Sequence, residues 1–508
     1  MAAATGKVLL FVNLLEWPGK EMGAGHMHQA TFFLASALKA AGVPVVLTDL
    51  KISRFLADDP ASRSGLDAVL AAHPDINWIG LTLCDAYFEK AAELLRYLRG
   101  HTRAWLAVGG IMPTHHPQEV FVHLPEADFI VRGAGEEVVP QLLRILAGGF
   151  YKDGFSPGQA RALRGLDGVL ASDGRSIVWA GAETVLRVSD LDASKLDFSL
   201  LQREHAASGQ AWSMSRGCHQ GCSFCTSMDR GRFAGKSPGD VGRLLAAYGR
   251  RLKELYGSWS SVPASAFGIG FYDDDFFADA KRALAILKIF SRGPFFVRFL
   301  QTGINAFYRG ASTGEPDERL MDSLRPELFN PRLGSDSAAQ ERTHVYLGTE
   351  SFSDAELERL GKGYGFVRVR RLAEALSSRG VRQAHHFIAS NARTRLEDLV
   401  ESVSRLVELR RVCGPAFNVI EPVIPRLCSF YGTASWRGLV RDKLTSQARL
   451  RGRLSCPGFP EYDYPLVEGD IPLDADVRAF VNRIEGRTGV DWESELRELS
   501  SAGAGQSR

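Results

Sequence analysis

Three cysteines, Cys218, Cys222 and Cys225, stand within eight positions in the segment RGCHQGCSFC at 216–225. Thiolates so spaced on one short loop can hold three irons of a cubic 4Fe–4S cluster and leave the fourth iron open. An open iron can bind a substrate or cofactor, whereas a fully ligated cluster only carries electrons. Structural zinc takes four ligands, usually as two pairs. The remaining cysteines, Cys84, Cys413, Cys428 and Cys456, are scattered singly, and His219 inside the loop is the one neighbour able to complete a zinc site. Seven cysteines in 508 residues are too sparse, and odd in number, for a disulfide framework. Gly217 and Gly221 let the loop turn its backbone amides toward cluster sulfides.

Carboxylates form the second candidate group. FYDDDFF places Asp273, Asp274 and Asp275 in a row, and three adjacent carboxylates would repel if all were buried and unpaired. An exposed, helix-capping acidic turn is the plain alternative. Glu350 follows a strand-like run in YLGTESFSDAELERLGKGY, either reaching toward a site at the strand end or serving as a helix N-terminal charge. The pairs His115–His116 and His385–His386 have no third ligand at metal-binding spacing and read as packing or polar-lid residues. Arg298 and one histidine of HHFIASN are candidates for substrate contact, Arg298 for a carboxylate.

Two sets of elements must position these groups. In residues 1–150 the strand candidates are VLLFV at 8–12, PVVLT at 44–48, WIGLT at 78–82, WLAVG at 105–109 and DFIVR at 128–132. Helical patterns near 27–41, 63–72, 86–99 and 135–147 separate them, which predicts a parallel, doubly wound α/β sheet of flavodoxin-like (Rossmann-type) order. Ligands of such sheets bind at the carboxyl ends of the strands. There the chain has the loop NLLEWPGKEMGAGH, the segment TLCDAY with Thr82, GGIMPTHHP with Gly109, Gly110 and Thr114, and RGAGEE with Gly133 and Glu136. No GxGxxG follows the first strand and no Walker lysine motif occurs, so simple nucleotide binding is disfavoured.

Residues 151–205 read as a linker with a small hairpin at GRSIVWAG. From 206 to 430, strands at 211–215, 264–272, 295–302, 343–349, 381–389 and 416–422 alternate with helices such as 240–256 and 395–411, predicting a partial (β/α)6 TIM-type barrel. Residues 431–508 form a small C-terminal region: a basic helix, an aromatic, proline-rich loop at 455–465 able to cover the barrel mouth, and a disordered tail after Leu499. The hydrophobic fraction of 45% supports sizeable cores, and a net charge of +2 argues against nucleic-acid or membrane-surface partners. The apolar run at 8–15 is too short to span a bilayer, and WPGKE after it offers no signal-peptide cleavage site. Reduced cysteines and an oxygen-sensitive cluster fit the cytoplasm.

CxxxCxxC with Phe224 before the third cysteine resembles the signature of the radical S-adenosylmethionine superfamily, and the stretch from Glu350 through LGKGY resembles another recurrent stretch of that family. The GG loop and RGxGEE turn, upstream of the cysteine loop, resemble the cobalamin-binding domain that precedes many of these enzymes. The resemblance implies three cofactors: a 4Fe–4S cluster on Cys218, Cys222 and Cys225, S-adenosylmethionine, and cobalamin. It implies S-adenosylmethionine contacts from Phe224, Asp274 or Asp275, and Glu350, and cobalamin contacts from Thr82, Gly109, Gly110, Thr114, Gly133 and Glu136. The DxHxxG motif that supplies a cobalt-ligating histidine is absent, since His26 and His28 lie in GAGHMHQA, so a lower cobalt ligand is not expected from it. The implied activity is cobalamin-dependent radical methylation of an unactivated carbon in a small-molecule or peptide precursor of natural-product biosynthesis. An external flavodoxin- or ferredoxin-type one-electron reductant would be the partner. The alternatives are a non-methylating radical reaction (cyclisation, ring contraction, oxidation) or, from another class, a cobalamin sensor or electron-transfer module. Methylthiotransfer is disfavoured because Cys84 alone in the N-terminal domain cannot hold a second cluster.

Overall fold

The computed structural model describes residues 6–11, 29–50, 58–83, 88–115, 117–147, 149, 155–172, 177–180, 196–225, 231–308, 314–329, 344–421, 423, 425–427, 429, 433–442, 455–456, 459–463 and 474–506. His26, His28, Cys84, Cys428 and His116 therefore lie outside the described residues. The chain divides into two compact units, 1–208 with 246–262, and 209–245 with 263–508.

The first unit is built on a seven-stranded sheet of β1 (Lys7–Phe11), β2 (Val45–Thr48), β3 (Ile76–Thr82), β4 (Trp105–Gly109), β5 (Phe129–Val131), β6 (Val169–Ser172) and β7 (Ile177–Ala180), in the order β2-β1-β3-β4-β5-β6-β7. The first five strands are parallel and follow the flavodoxin-like order expected from their apolar runs and helix-length spacers. Val8, Leu9, Ile79, Leu106 and Val108 are fully buried, as a sheet covered on both faces requires. The expected hairpin exists, but it joins this sheet: β6 pairs antiparallel with β5 and β7 with β6. GGIMPTHHP, read as a loop, instead enters two short helices, Ile111–His115 and Pro117–His123.

The second unit holds six parallel strands in sequential order: β8 (Gln210–Trp212), β11 (Gly268–Phe271), β12 (Phe296–Thr302), β13 (Val345–Glu350), β14 (Gln383–Phe387) and β15 (Phe417–Val419). A small antiparallel pair, β9 (Ser215–Arg216) with β10 (Ala234–Gly235), brackets the cysteine loop. Sequential order with helices between the strands is the topology of a partial barrel. Gly268 and Gly270 on β11 make room for β12: a Cβ would lie 2.5 Å from Arg298 Cγ and 2.5 Å from the Phe299 ring, respectively. Arg298 thus packs at the amino-terminal end of the sheet, also beside Gly209, and not at the carboxyl end where a substrate carboxylate was expected to meet it.

The C-terminal segment differs from expectation. The proline-rich stretch forms an antiparallel pair, β16 (Ser455–Cys456) with β17 (Phe459–Asp463). The tail after Leu499 continues the helix Trp492–Gln506. Trp492 and Leu499 are buried in the core shared with helices Leu396–Cys413 and Ala475–Ile484, and a helix nucleated by such packing extends through poor helix formers at little cost. Among the described residues, no helix is long and apolar enough to cross a membrane.

Two buried histidines make this unit acid-sensitive. His385 Nδ1 meets the Thr349 hydroxyl at 2.7 Å and Nε2 meets Gln383 Oε1 at 2.9 Å, so the imidazole ties β13 to β14 and is not a substrate contact. Burial, with His386 nearby, lowers its pKa to about 3, and burial with Arg382 lowers that of His344 to about 4. Both therefore contribute stability that is complete above the unfolded value of 6.5 and is lost as pH falls toward those folded values. His385→Gln is expected to be less stable than the parent at pH 7.5 but to lose less stability on acidification. Denaturant midpoints measured from pH 7.5 to 4.5 check this, and parallel curves would contradict it.

Candidate active site

The cysteine loop leaves β8 through β9, and its conformation is fixed by the acidic run at the end of β11. Asp273 is 1% exposed and accepts from Met214 N (3.2 Å) and from the Ser215 hydroxyl, with Arg282 Nη2 3.9 Å away. Burial raises its pKa to about 7 against the pull of Ser215 and Arg282. Asp274 is exposed and accepts from Gly217 N at 2.8 Å, where φ of +86° requires glycine. Asp275 is fully buried, accepting from Thr302 Oγ1 (2.6 Å) and Gly303 N (3.2 Å), with Cys218 Sγ 3.9 Å distant. Alternation along the chain, two in and one out, removes the repulsion that three like charges would otherwise suffer.

None of the three loop cysteines is in a disulfide. Gln220 N donates to Cys218 Sγ at 3.3 Å, the inward amide expected of a cluster loop. Burial, then the Asp275 charge, pushes the Cys218 thiol up to about 12, so a cationic group is needed to draw the proton off. The ligand atoms of the three cysteines do not lie within 4.8 Å of one another, the grouping a single metal ion would need. A cluster whose irons each take one thiolate makes no such demand, and the residues fit it better than zinc.

From the other side the loop is held by the segment after β13. Ser223 N donates to Leu360 O (2.9 Å) and the Ser223 hydroxyl to Arg359 O (3.1 Å). Gly361 has φ of +69°, and a Cβ there would lie 3.1 Å from Gly221 O. Asn305 Nδ2 donates to both Gln220 Oε1 and Lys362 O, each at 3.2 Å. The LGKGY stretch thus packs as the wall of the cysteine loop. Lys362, which the sequence reading quoted only within that stretch, places its ammonium 3.7 Å from Glu350 Oε1 and 5.8 Å from the centroid of the Phe224 ring. Asn305, Thr302 and Gln220 were missed as well, because no spacing rule links residues brought together only by strand pairing.

Glu350 ends β13 past a register shift and has φ of +69°, one of two non-glycine residues among those described with positive φ. That conformation costs a side-chain-bearing residue about 1–2 kcal/mol, and such residues cluster at functional sites. Glu350, Phe224, Asp274, Asp275 and the cysteines therefore all gather where the loop meets the carboxyl ends of the strands.

The other named residues lie together on the first unit. Gly110 has φ of +111°, and a Cβ would sit 2.5 Å from Leu83 O, so the turns after β3 and β4 touch backbone to backbone. Leu83 N donates to Gly109 O at 2.6 Å. Thr114 is 1% exposed; its hydroxyl donates to Gly110 O (2.6 Å) and accepts from Gly133 N (2.9 Å). It fastens the turns after β4 and β5 into one rim, which Thr82 at the end of β3 and Glu136 in the first turn of the following helix flank. Thr114→Val removes both bonds at a buried site and is expected to cost about 1–3 kcal/mol in denaturant unfolding. An unchanged midpoint would remove this role. Asp49, Glu204 and His205 also cluster in this unit. Gln202 N donates to His205 Nδ1 (3.3 Å), so Nε2 carries the proton toward Asp49 (3.2 Å) and the imidazole is spent on structure.

A model of the B12 binding domain family matches residues 25–143, which include this rim. Two anaerobic magnesium-protoporphyrin IX monomethyl ester cyclases, from Cereibacter sphaeroides and Synechocystis sp., are 27% and 26% identical over 201 residues, 38% of this chain. The chain spans 30% and 36% of the length of those relatives. Among solved structures, the apo cobalamin-dependent S-adenosylmethionine radical enzyme OxsB gives a TM-score of 0.66 at 16% identity, covering 95% of this chain and 66% of that one. The radical S-adenosylmethionine methyltransferase TsrM from Kitasatospora setae, with cobalamin and a [4Fe-4S] cluster bound, gives 0.60 at 15% identity, covering 98% and 99%. OxsB with aqua-cobalamin and S-adenosylmethionine bound gives 0.59 at 15%, covering 99% of this chain and 62% of that one. At these identities the likeness is one of fold. The chain thus joins a region matching the B12 binding domain to a fold like that of the cobalamin-dependent radical S-adenosylmethionine enzymes.

Proposed function

We propose that this chain is a cobalamin-dependent radical S-adenosylmethionine methyltransferase that methylates an unactivated carbon of a small-molecule or peptide precursor. The observation that carries the reading is the joining, in one chain, of a B12-binding domain to a three-cysteine loop walled by Glu350, Lys362 and the acidic end of β11. Cys218, Cys222 and Cys225 would hold a 4Fe–4S cluster, Phe224, Asp274 and Glu350 would face S-adenosylmethionine, and the rim of Thr82, Gly109, Gly110, Thr114, Gly133 and Glu136 would receive cobalamin. When bound, these groups supply a substrate-activating radical and a transferable methyl group.

The protein's part is positioning. Asp275, satisfied by Thr302 and Gly303, and Asp274, on Gly217 N, hold the Cys218 end of the loop. The Leu360–Gly361 backbone holds the Cys222–Ser223 end. The Glu350 carboxylate, 14% exposed and held at a strand end, offers an anion for the ammonium of S-adenosylmethionine. Gly110, without a Cβ, lets the turn after β4 close against the Leu83 backbone and so shapes the rim that would receive the ligand.

Anaerobic incubation of the reconstituted protein with S-adenosylmethionine, methylcobalamin, a one-electron reductant and candidate precursors tests the reading. Formation of both 5′-deoxyadenosine and S-adenosylhomocysteine is expected. The matched relatives being named cyclases favours one second reading, a non-methylating radical reaction. It would give 5′-deoxyadenosine without S-adenosylhomocysteine, and absence of both products would point to a sensor.

A further inference from the structure

Lys362 is 6% exposed, and its salt bridge among the described residues is to Glu350, itself largely buried. Its ammonium lies 3.7 Å from the Glu350 carboxylate and 5.8 Å from the centroid of the Phe224 ring, close enough to the Cys222 thiol and to Tyr364 to interact electrostatically with both. The chain cannot swing it away. Gly361 abuts the backbone of Gly221 and Ser223, and Asn305 grips the Lys362 carbonyl at 3.2 Å. On the opposite flank, Asp275 stands 3.9 Å from the Cys218 sulfur and Asp274 accepts from Gly217 N. The loop is therefore polarised, with a fixed cation at Cys222 and carboxylates at Cys218.

We propose that Lys362 is a positioning residue that raises the reduction potential of the cluster held by this loop. The inference rests on the reading of Cys218, Cys222 and Cys225 as cluster ligands. Reduction adds one electron from a low-potential donor (dithionite in the test) and makes the cluster one unit more negative, with no bond made or broken. A fixed cation beside one ligand, in a site largely closed to water, favours the more negative state. It also gives the Cys222 thiolate a charge-assisted partner.

The test is a redox titration of the full-length, reconstituted protein, followed by the electron paramagnetic resonance signal of the reduced cluster. Iron and sulfide are measured first, so that a failure of the parent to load a cluster sinks the ligand assignment and not this inference. At the parent's midpoint, Lys362→Met is expected to show at least a tenfold lower ratio of reduced to oxidised cluster, which is 59 mV for a one-electron couple. Lys362→Arg, which keeps the charge, is expected to stay within threefold of the parent. Lys362→Gln serves as a second neutral variant should the methionine variant load poorly. A loaded neutral variant with the parent's midpoint overturns the proposal. So does loss of the cluster in both neutral variants while Lys362→Arg and the parent load alike, because the cation would then only hold the loop together.

Discussion

A full-length variant with Cys218, Cys222 and Cys225 all replaced by alanine is expected to bind no iron–sulfur cluster and form no 5′-deoxyadenosine, yet to bind cobalamin as the parent does. The first half follows from chemistry: with the thiolates gone, the loop keeps a single imidazole, His219, which cannot hold a cluster of several irons alone. The second half follows from architecture. The first unit has its own core, running from Val8 and Leu38 through Trp105 and Phe129 to Leu142 and Leu163, and the rim hydrogen bonds of Thr114 lie within it. Nothing in that core includes the cysteine loop. Iron and sulfide analysis with titration of hydroxocobalamin checks both halves. Loss of cobalamin binding together with the cluster would show that the rim depends on the loop, and retained iron would reassign the ligands.

What the sequence made legible was periodicity and punctuation. Runs of five to nine residues rich in apolar side chains, separated by helix-length spacers, located all eleven parallel strands, because strands covered on both faces bury most of their side chains. Cysteine spacing located the loop, because the ligands are local in sequence. The tail failed for a related reason: its composition is that of a coil, and the packing of Trp492 and Leu499 that carries the helix onward is a tertiary fact. Arg298 was misplaced because the register shift between Ile269 and Gly270 and the room left by two glycines are not encoded in spacing. Lys362 was hidden in plain view. Its motif was visible, but a lysine in a loop is ordinarily solvated, and only the contact between two segments some 140 residues apart buries it (Cys222 to Lys362).

Glu350 is expected to be worth more to activity than to stability, and the two effects can be separated. Its φ of +69° is strained, so Glu350→Gly relieves about 1–2 kcal/mol. The same change leaves the Lys362 ammonium buried without its carboxylate, a loss of about 3–5 kcal/mol. The second effect wins, and apo Glu350→Gly is expected to be destabilised by roughly the difference, about 1–4 kcal/mol. Adding Lys362→Met removes the stranded charge, so the double variant should be more stable than the Glu350→Gly single variant. Turnover behaves differently: without the carboxylate proposed to face the S-adenosylmethionine ammonium, both variants are expected to lose about a hundredfold or more in 5′-deoxyadenosine formation, as misplacement of a reacting group does. Glu350→Gln, which keeps the shape and the strained backbone but not the charge, leaves the Lys362 ammonium without its carboxylate in the same way and should lose both stability and turnover. Denaturant unfolding of the apo proteins and initial rates of the loaded ones check the two arms. Full turnover in Glu350→Gln would make the residue a structural partner of Lys362 and nothing more, and a double variant no more stable than the single would mean that the ammonium was never held by Glu350.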